Sequence, residues 1–108
     1  MLQKKEDGLR VISLKLLRAF WEKHPDAQLP LRQWYKLACS ANWHSLQDVR
    51  QTFSHADAVS ANHGDTLTVF NIGGNKYRLI VRIRYEYQLI NVRYVLTHEE
   101  YDRQKWKD

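Results

Sequence analysis

The stretch that decides the fold runs from Phe70 to Asp102 and has the sequence FNIGGNKYRLIVRIRYEYQLINVRYVLTHEEYD. It holds segments in which apolar and polar residues alternate, a pattern typical of β-strands that bury one face. Gly73 and Gly74 separate two of these segments, and glycine accepts the positive φ that a tight hairpin turn requires. The stretch, with the residues just before it, predicts antiparallel strands over residues 66–72, 77–85 and 89–96.

Alternation also predicts that the two long strands carry different chemistry on their two faces. One face is expected to be apolar and covered by helices, and the other to be basic and exposed to solvent. The apolar face would hold Tyr77, Leu79, Val81, Ile83, Tyr85, Ile90, Val92, Tyr94 and Leu96. The opposite face of the first strand would carry Arg78, Arg82 and Arg84, and that of the second would carry Arg93.

The residues before the sheet predict a short strand and two amphipathic helices. LRVIS, from Leu9 to Ser13, alternates like a strand, and Ser13 is placed to cap the following helix. That helix should end before Pro25, because the residue preceding a proline is disfavoured in helical geometry. A second helix should begin near Asp26 or Pro30, which makes an antiparallel hairpin. Two apolar stripes carry this prediction: Leu14, Leu17, Phe20, Trp21 and His24, then Leu31, Trp34, Tyr35 and Ala38.

Three further segments complete the predicted order of elements. Ser45 and Asp48 resemble a capping box, which predicts a short helix with Leu46, Val49 and Phe53 on one face. Residues 54–65 are small and polar and predict a loop. Thr97 and Glu100 form an S/T-x-x-E capping box, so a helix should start directly after the last strand.

The whole chain of 108 residues is expected to be one α+β domain: an N-terminal strand and a helical hairpin packed on a small antiparallel sheet, with a short C-terminal helix. Residues 1–9 are interpreted as a flexible extension. No signal peptide and no apolar run of membrane length are visible, so we expect a cytoplasmic protein with no membrane partner. The formal charge of +5 favours a polyanionic partner.

The sequence offers no pattern for a metal or a cofactor. The single cysteine, Cys39, excludes an intramolecular disulfide, and His44, His55 and His63 lack ligand spacing. Gly73–Gly74 joins two strands rather than a strand and a helix, so it is not a phosphate-binding loop. We therefore expect neither a metal nor a cofactor.

The basic strands lead into residues that are suited to cleaving RNA through its 2′-hydroxyl. That reaction needs groups that move protons and cations that stabilise charge on the phosphate. His98 and Tyr101, three residues apart on the predicted helix, could handle protons, and the nearby arginines would favour the Tyr101 phenolate. Arg78 and Arg93 could grip the phosphate. Asp102, four residues after His98, could orient the imidazole.

Further polar residues extend this candidate site, although each residue also has a plain structural interpretation. Asn75 and Lys76 beside the turn could contact RNA backbone or base, while Arg82 and Arg84 would hold RNA backbone. A basic strand face is also compatible with an ordinary solvated surface. His98 would then be incidental, and Tyr101 would cover the end of the core.

Two segments are distinctive in order and separation: Asn71-Ile-Gly-Gly-Asn-Lys-Tyr-Arg78 and Thr97-His-Glu-Glu-Tyr-Asp102. Together with RVIS and FWEKHPDA upstream, they resemble the HigB family of toxins from bacterial type II toxin–antitoxin pairs. The resemblance covers nearly everything from Arg10 to Asp102. It implies a RelE-like fold and a site built from Asn75, Lys76, Arg78, Arg93, His98 and Tyr101.

The resemblance further implies an endoribonuclease (an mRNA interferase) that acts on mRNA, commonly on translating ribosomes, and is inhibited by a cognate HigA-type antitoxin. Two other classes stay open. A non-enzymatic module could bind RNA or DNA through the same basic face, with affinity that falls steeply with salt. A gyrase-poisoning toxin of the ParE type would share the architecture, since fold alone does not fix function.

Overall fold

Five strands form one sheet in the computed structural model, which describes residues 8–107. They are β1 (Arg10–Ile12), β2 (Asp57–Ser60), β3 (Thr66–Ile72), β4 (Tyr77–Arg84) and β5 (Leu89–Thr97). Their order across the sheet is β1-β5-β4-β3-β2. β1 runs parallel to β5, and the other neighbouring strands are antiparallel. The α+β class and the three predicted sheet strands are therefore confirmed.

Within residues 8–107, four helices and three short 3-10 turns connect or follow these strands. The helices are α1 (Leu14–Lys23), α2 (Gln28–Ser40), α3 (Leu46–Thr52) and α4 (His98–Asp102). The 3-10 turns cover Pro25–Ala27, Tyr85–Tyr87 and Lys105–Lys107. Both helices of the predicted hairpin are present, and α1 ends before Pro25 as expected.

The main core lies between the helices and one face of the sheet. Trp34 and Phe70 meet there edge to face, with ring centroids 5.5 Å apart, and Trp43 and Phe53 pack around Phe70. The predicted helical stripes supply much of this core, with one correction: Tyr35 is 37% exposed. The fully buried side chains of α2 are Leu31, Trp34 and Ala38.

The opposite face of the sheet is not the uniformly solvated basic surface that alternation predicts. Leu67, Val69 and Ile80 are buried there beneath Trp106, which is only 6% exposed. Arg78 is also buried, at 9% exposure. The sheet therefore has a second, smaller core, because the 3-10 turn at Lys105–Lys107 folds the indole of Trp106 back over these strands.

A β-bulge in β5 overturns the predicted division of that strand into two faces. Ile80 pairs with Tyr94 and Val81 pairs with Val92, which leaves Arg93 as the extra residue between them. An extra residue reverses the alternation beyond it. Tyr94 and Leu96, expected on the apolar face toward the helices, pack against the second core, and Val95 packs against the main one.

The predicted loop over residues 54–65 contains a strand. β2 pairs with β3 from Asp57 opposite Val69 to Ser60 opposite Thr66. A strand at the edge of a sheet gains its hydrogen bonds from its neighbour and needs few large side chains of its own. Its short polar sequence therefore hides it from pattern analysis.

Two predicted helix caps use different atoms from those expected. Ser13 precedes α1 in a left-handed conformation (φ 71°), and its hydroxyl donates to Asn91 Oδ1 at 3.1 Å instead of capping the helix. Ser45 precedes α3 without a side-chain cap, while Asp48 Oδ2 accepts from the backbone N–H of His44 at 2.9 Å.

The predicted flexible extension, residues 1–9, lies largely outside the described residues, which begin at Gly8. Leu9 contradicts the prediction, because it is 3% exposed and packs in the main core. At Gly8, a Cβ atom would lie 1.8 Å from the backbone oxygen of Cys39.

None of the helices in residues 8–107 has the length and apolar content needed to cross a membrane.

Candidate active site

A tight turn before β4 opens the candidate site. Gly73 and Gly74 have φ values of 64° and 71°, as the hairpin prediction requires. Arg78 then folds back over the turn: its Nη2 donates to Asn75 Oδ1 at 2.7 Å, and its Nη1 donates to the backbone oxygens of Asn75 and Tyr77, each at 3.2 Å. The turn is thus held by the arginine that follows it.

These three hydrogen bonds do not exhaust the Arg78 guanidinium, which has five N–H groups. The N–H of Nε and the second N–H of Nη2 have no acceptor among residues 8–107. A buried guanidinium with two donors left over can hold the turn and bind an anion in the same conformation.

The start of α4 is fixed beside this turn by a capping box. Thr97 Oγ1 accepts from the backbone N–H of Glu100 at 3.2 Å, and Glu100 Oε1 accepts from the backbone N–H of Thr97 at 2.9 Å. The predicted box is therefore confirmed in both halves. The backbone N–H of His98 donates to the backbone oxygen of Lys76 at 3.0 Å, which ties the first turn of α4 to the glycine turn.

The imidazole of His98 has a carboxylate neighbour on its own helix. Nδ1 of His98 lies 3.1 Å from Oδ2 of Asp102, one helical turn later. This contact leaves Nε2 as the ring nitrogen available to another group. Because the side chain of His98 is 45% exposed, a substrate can reach it.

Tyr101 is held by two flanking side chains. Its ring stacks on that of Trp106 at 5.2 Å with an interplanar angle of 13°, and the guanidinium carbon of Arg78 lies 5.6 Å from its centroid. Burial raises the pKa of Tyr101, and the charge of Asp57 adds to this more than Arg78 offsets it. Arg78 does favour the phenolate, as expected, but burial and the charge of Asp57 outweigh it, so the pKa of Tyr101 is raised and the phenol stays protonated at neutral pH.

Lys76 is engaged by a residue of the helical hairpin. Asp26 Oδ2 accepts from Lys76 Nζ at 2.5 Å, and Asp26 Oδ1 accepts from Tyr77 Oη at 2.6 Å. The pKa of Asp26 is lowered, first by its hydrogen bond with Lys76 and then by that with Tyr77. The side chain of Lys76 remains 64% exposed, so this pairing leaves it open to solvent.

The other predicted arginines lie away from His98. Arg82 and Arg84 follow Arg78 along β4 by four and six residues, which places them roughly 13 and 20 Å further along the strand. Arg82 Nη2 lies 3.9 Å from Oδ1 of Asp65, and Arg84 is exposed. Arg93 occupies the bulge of β5, opposite the step from Ile80 to Val81. The structure thus gathers Asn75, Lys76, Arg78, His98 and Tyr101.

Comparison with known proteins places the chain in a family. A family model described as HigB_toxin, the RelE-like toxic component of a toxin–antitoxin system, matches residues 27–104, which is more than half of the chain. The chain belongs to the HigB toxin family. The resemblance seen in the sequence is therefore confirmed.

Curated relatives of this HigB toxin agree with the match. The mRNA interferase toxin HigB of Escherichia coli strain K12 is 28% identical over 94 residues, which is 87% of this chain and 88% of the relative. The mRNA interferase HigB of Shigella flexneri matches to the same extent. That of Escherichia coli O6:H1 is 23% identical over 95 residues, 88% of this chain and 90% of the relative.

Three residues of this HigB toxin site escaped the sequence analysis. Asp26 was considered only as a possible start of α2, and its separation of 51 positions from Tyr77 hides their contact. Asp57 acts on Tyr101 from a strand that was predicted as loop. Trp106 lies beyond the last predicted helix start, and its packing against Leu67, Val69 and Ile80 joins parts of the chain that are distant in sequence.

The described residues offer no ready metal site. Within residues 8–107, no three His, Cys, Asp or Glu side chains stand close enough together to bind an ion. The side chains that the candidate site brings together include an imidazole, a neutral phenol and a guanidinium. This combination can accept a proton, donate a proton and neutralise an anion.

Proposed function

We propose that this HigB toxin is an endoribonuclease, an mRNA interferase that cleaves mRNA through attack by the RNA 2′-hydroxyl. One observation carries the proposal. The capping box at Thr97 places His98 and Tyr101 on α4 beside the turn that Arg78 holds. The backbone of His98 is hydrogen-bonded to Lys76, and the ring of Tyr101 lies against the Arg78 guanidinium. The names of the curated relatives support the same activity.

In the proposed reaction His98 is the base and Tyr101 is the acid. His98 Nε2 takes the proton of the 2′-hydroxyl as the new bond from O2′ to phosphorus forms. The bond from phosphorus to O5′ breaks, and Tyr101 gives its proton to the departing oxygen. The products are a 2′,3′-cyclic phosphate and a 5′-hydroxyl. The proton held by His98 then returns to the phenolate through solvent. The raised pKa of Tyr101 supports its role as the acid.

Charge on the phosphate would be stabilised by guanidinium groups. The two unused N–H donors of Arg78 suit the equatorial oxygens of the scissile phosphate. Arg78 pairs with Leu96 of β5, and Arg93 lies three residues before Leu96, at the bulge. We propose that Arg93 binds the same phosphate as Arg78, from the side nearer the bulge. We further propose that Asn75 and Lys76 contact the adjacent nucleotide, and that Arg82 and Arg84 hold backbone further along the strand.

We infer that the chain is one toxin domain that acts in the cytoplasm on translating ribosomes, without a metal, until a cognate antitoxin neutralises it. Membership of a toxin–antitoxin family implies the antitoxin partner and the mRNA substrate. The spacing of the arginines along β4 supports ribosome binding, because cations spread over about 20 Å from Arg78 to Arg84 suit an extended RNA surface better than a single nucleotide.

The test is to map RNA ends in a reconstituted translation reaction with and without ribosomes. New 5′-hydroxyl ends should appear in translated mRNA and should fall by about 10²- to 10⁴-fold with His98→Ala. His63→Ala, which removes an exposed loop histidine, is the matched control. Because Arg78→Ala removes a buried clamp, Arg78→Lys and a circular dichroism spectrum separate lost chemistry from lost folding.

Each alternative gives a different result. Cleavage of a short free RNA that survives chelation supports chemistry without metal. Binding that weakens with salt while no strand is cut would make the protein a non-enzymatic module. Altered plasmid supercoiling during expression, with mRNA intact, would make it a gyrase poison.

A further inference from the structure

An open groove of about 900 Å³ runs along the outside of the helical hairpin, between α1 and α2. Each wall is a stripe of residues at helical spacing. Leu14, Leu17, Arg18 and Trp21 line it from α1, and Leu29, Arg32, Gln33, Lys36 and Ser40 line it from α2, together with Tyr35 and Cys39. The stripe on α2 spans eleven residue steps, or roughly 17 Å, about three turns of helix.

The apolar residues that line the groove, which we call its floor, include partly exposed side chains. Leu29 is 66% exposed and Tyr35 is 37% exposed, although both are large hydrophobic side chains. Trp21 is only partly buried in the main core and also lines the groove. Exposed apolar surface that is gathered in one concave strip is typical of a protein-binding site.

The rim of the groove carries charge of a single sign. Arg18, Arg32 and Lys36 line it, and no Asp or Glu does. None of these three cations forms an ion pair with a carboxylate elsewhere in the part of the chain that is described. A partner with carboxylates at matching positions would pair with charges that now face solvent.

We propose that the groove binds an acidic amphipathic helix of the cognate antitoxin. An apolar stripe at i, i+3, i+4 and i+7 would fill the floor over Leu29 and Tyr35, as in other helix-in-groove complexes. Glutamate or aspartate residues that flank the stripe would meet Arg32 and Lys36. RNA backbone would satisfy the cations but would leave the apolar floor without a partner.

This surface is separate from the residues proposed for cleavage. No residue of the set Asn75, Lys76, Arg78, His98 and Tyr101 lines the groove. The proposal rests on membership of a toxin–antitoxin family and on the groove itself. It is therefore independent of which residues cleave RNA, and a binding measurement tests it without any cleavage assay.

The probe is a labelled 14-residue helical peptide with leucines at i, i+3, i+4 and i+7 and flanking glutamates, measured by fluorescence anisotropy on the full chain. A peptide with the glutamates replaced by lysine and a scrambled acidic peptide are its controls. Arg32→Glu with Lys36→Glu should weaken binding of the acidic peptide about tenfold or more, since two attractive pairs become repulsive. Leu29→Ser should weaken it independently of salt.

Lys15→Glu is the matched protein control, because Lys15 is exposed on α1 but does not line the groove. It should leave peptide affinity within about twofold. Equal losses in Lys15→Glu and in the double variant would overturn the proposal. Equal binding of the scrambled peptide would also overturn it. Two further outcomes would assign the groove to another partner. If Arg32→Glu with Lys36→Glu loses affinity for an RNA oligonucleotide, the groove binds RNA, and if sedimentation shows a dimer that Leu29→Ser dissociates, it binds a second copy of the chain.

Discussion

Tyr77 Oη donates a 2.6 Å hydrogen bond to Asp26 Oδ1 across 51 residues of sequence. The same carboxylate accepts from Lys76, whose backbone oxygen accepts from the N–H of His98. One aspartate thus joins the turn before α2 to the start of β4 and, through Lys76, to the start of α4. A change at Asp26 is expected to reach the site although Asp26 is not proposed to touch RNA.

The charge of Asp26 should stabilise the fold in a way that depends on pH. Its pKa is lowered in the folded protein by Lys76 and then Tyr77, so the ionised form is favoured. That stabilisation is complete above the unfolded pKa, about 4, and is lost as the pH falls through the lowered folded value. Asp26→Asn should therefore lower Tm at pH 7, with a difference from wild type that shrinks below about pH 4.

Thermal unfolding between pH 2.5 and 7 measures this, and Glu22→Gln is the control. Glu22 is exposed on α1 and has no ion pair within the described residues. A Tm deficit in Asp26→Asn that stays constant down to pH 3 would show that the carboxylate charge is not its source.

The features of the site that the sequence predicts are those encoded locally. Gly73 and Gly74 indicate the turn because few other residues accept a positive φ. Thr97 and Glu100 indicate the start of α4 because their side chains accept hydrogen bonds from backbone N–H groups within one turn. Since His98 and Tyr101 follow that cap directly, their place on the first turns of α4 follows from five consecutive residues.

The features that pattern analysis misses depend on distant partners. The bulge at Arg93 needs no glycine or proline, because it is fixed by how β5 pairs with β4. The burial of Arg78 depends on a distant part of the chain, because the Tyr101 ring lies 5.6 Å from its guanidinium carbon. The contact of Asp26 with Lys76 depends on the hairpin docking at that end of the sheet.

The contact between His98 and Asp102 predicts a graded loss of cleavage. Because Asp102 touches Nδ1 of the imidazole, it should favour the orientation that aims Nε2 at the substrate. Asp102→Asn should reduce the single-turnover rate by about tenfold, since the carboxylate is exposed and partly screened. His98→Ala should reduce it by about 10²- to 10⁴-fold. A loss in Asp102→Asn as large as that in His98→Ala would mean that the carboxylate takes part directly.

Tyr101 should act through its hydroxyl proton. Its raised pKa keeps it protonated from pH 6 to 9, so the cleavage rate should show no rise across that range from phenolate formation. Tyr101→Phe keeps the stack on Trp106 and should lower the rate by about 10²-fold while Tm changes little. A rate that grows with pH in wild type but not in Tyr101→Phe would instead assign the role of base to Tyr101.

Trp106 should be needed for stability as well as for the site. Its side chain is 6% exposed over Leu67, Val69 and Ile80, and its Nε1 donates to the backbone oxygen of Tyr101 at 3.0 Å. Trp106→Ala leaves a cavity there and should lower the free energy of unfolding by about 3–5 kcal/mol. Urea unfolding followed by circular dichroism measures this loss.

The control for Trp106 is Tyr87→Ala, because Tyr87 is an aromatic residue that is 63% exposed. Its removal should change the unfolding free energy by less than about 0.5 kcal/mol. If Trp106→Ala proves equally mild, the second sheet face does not depend on the indole. If it is destabilised but cleaves RNA at the wild-type rate while folded, Tyr101 holds its place without Trp106. We expect Trp106→Ala to lose both stability and cleavage activity, because the indole that covers the second core also stacks on the ring of Tyr101.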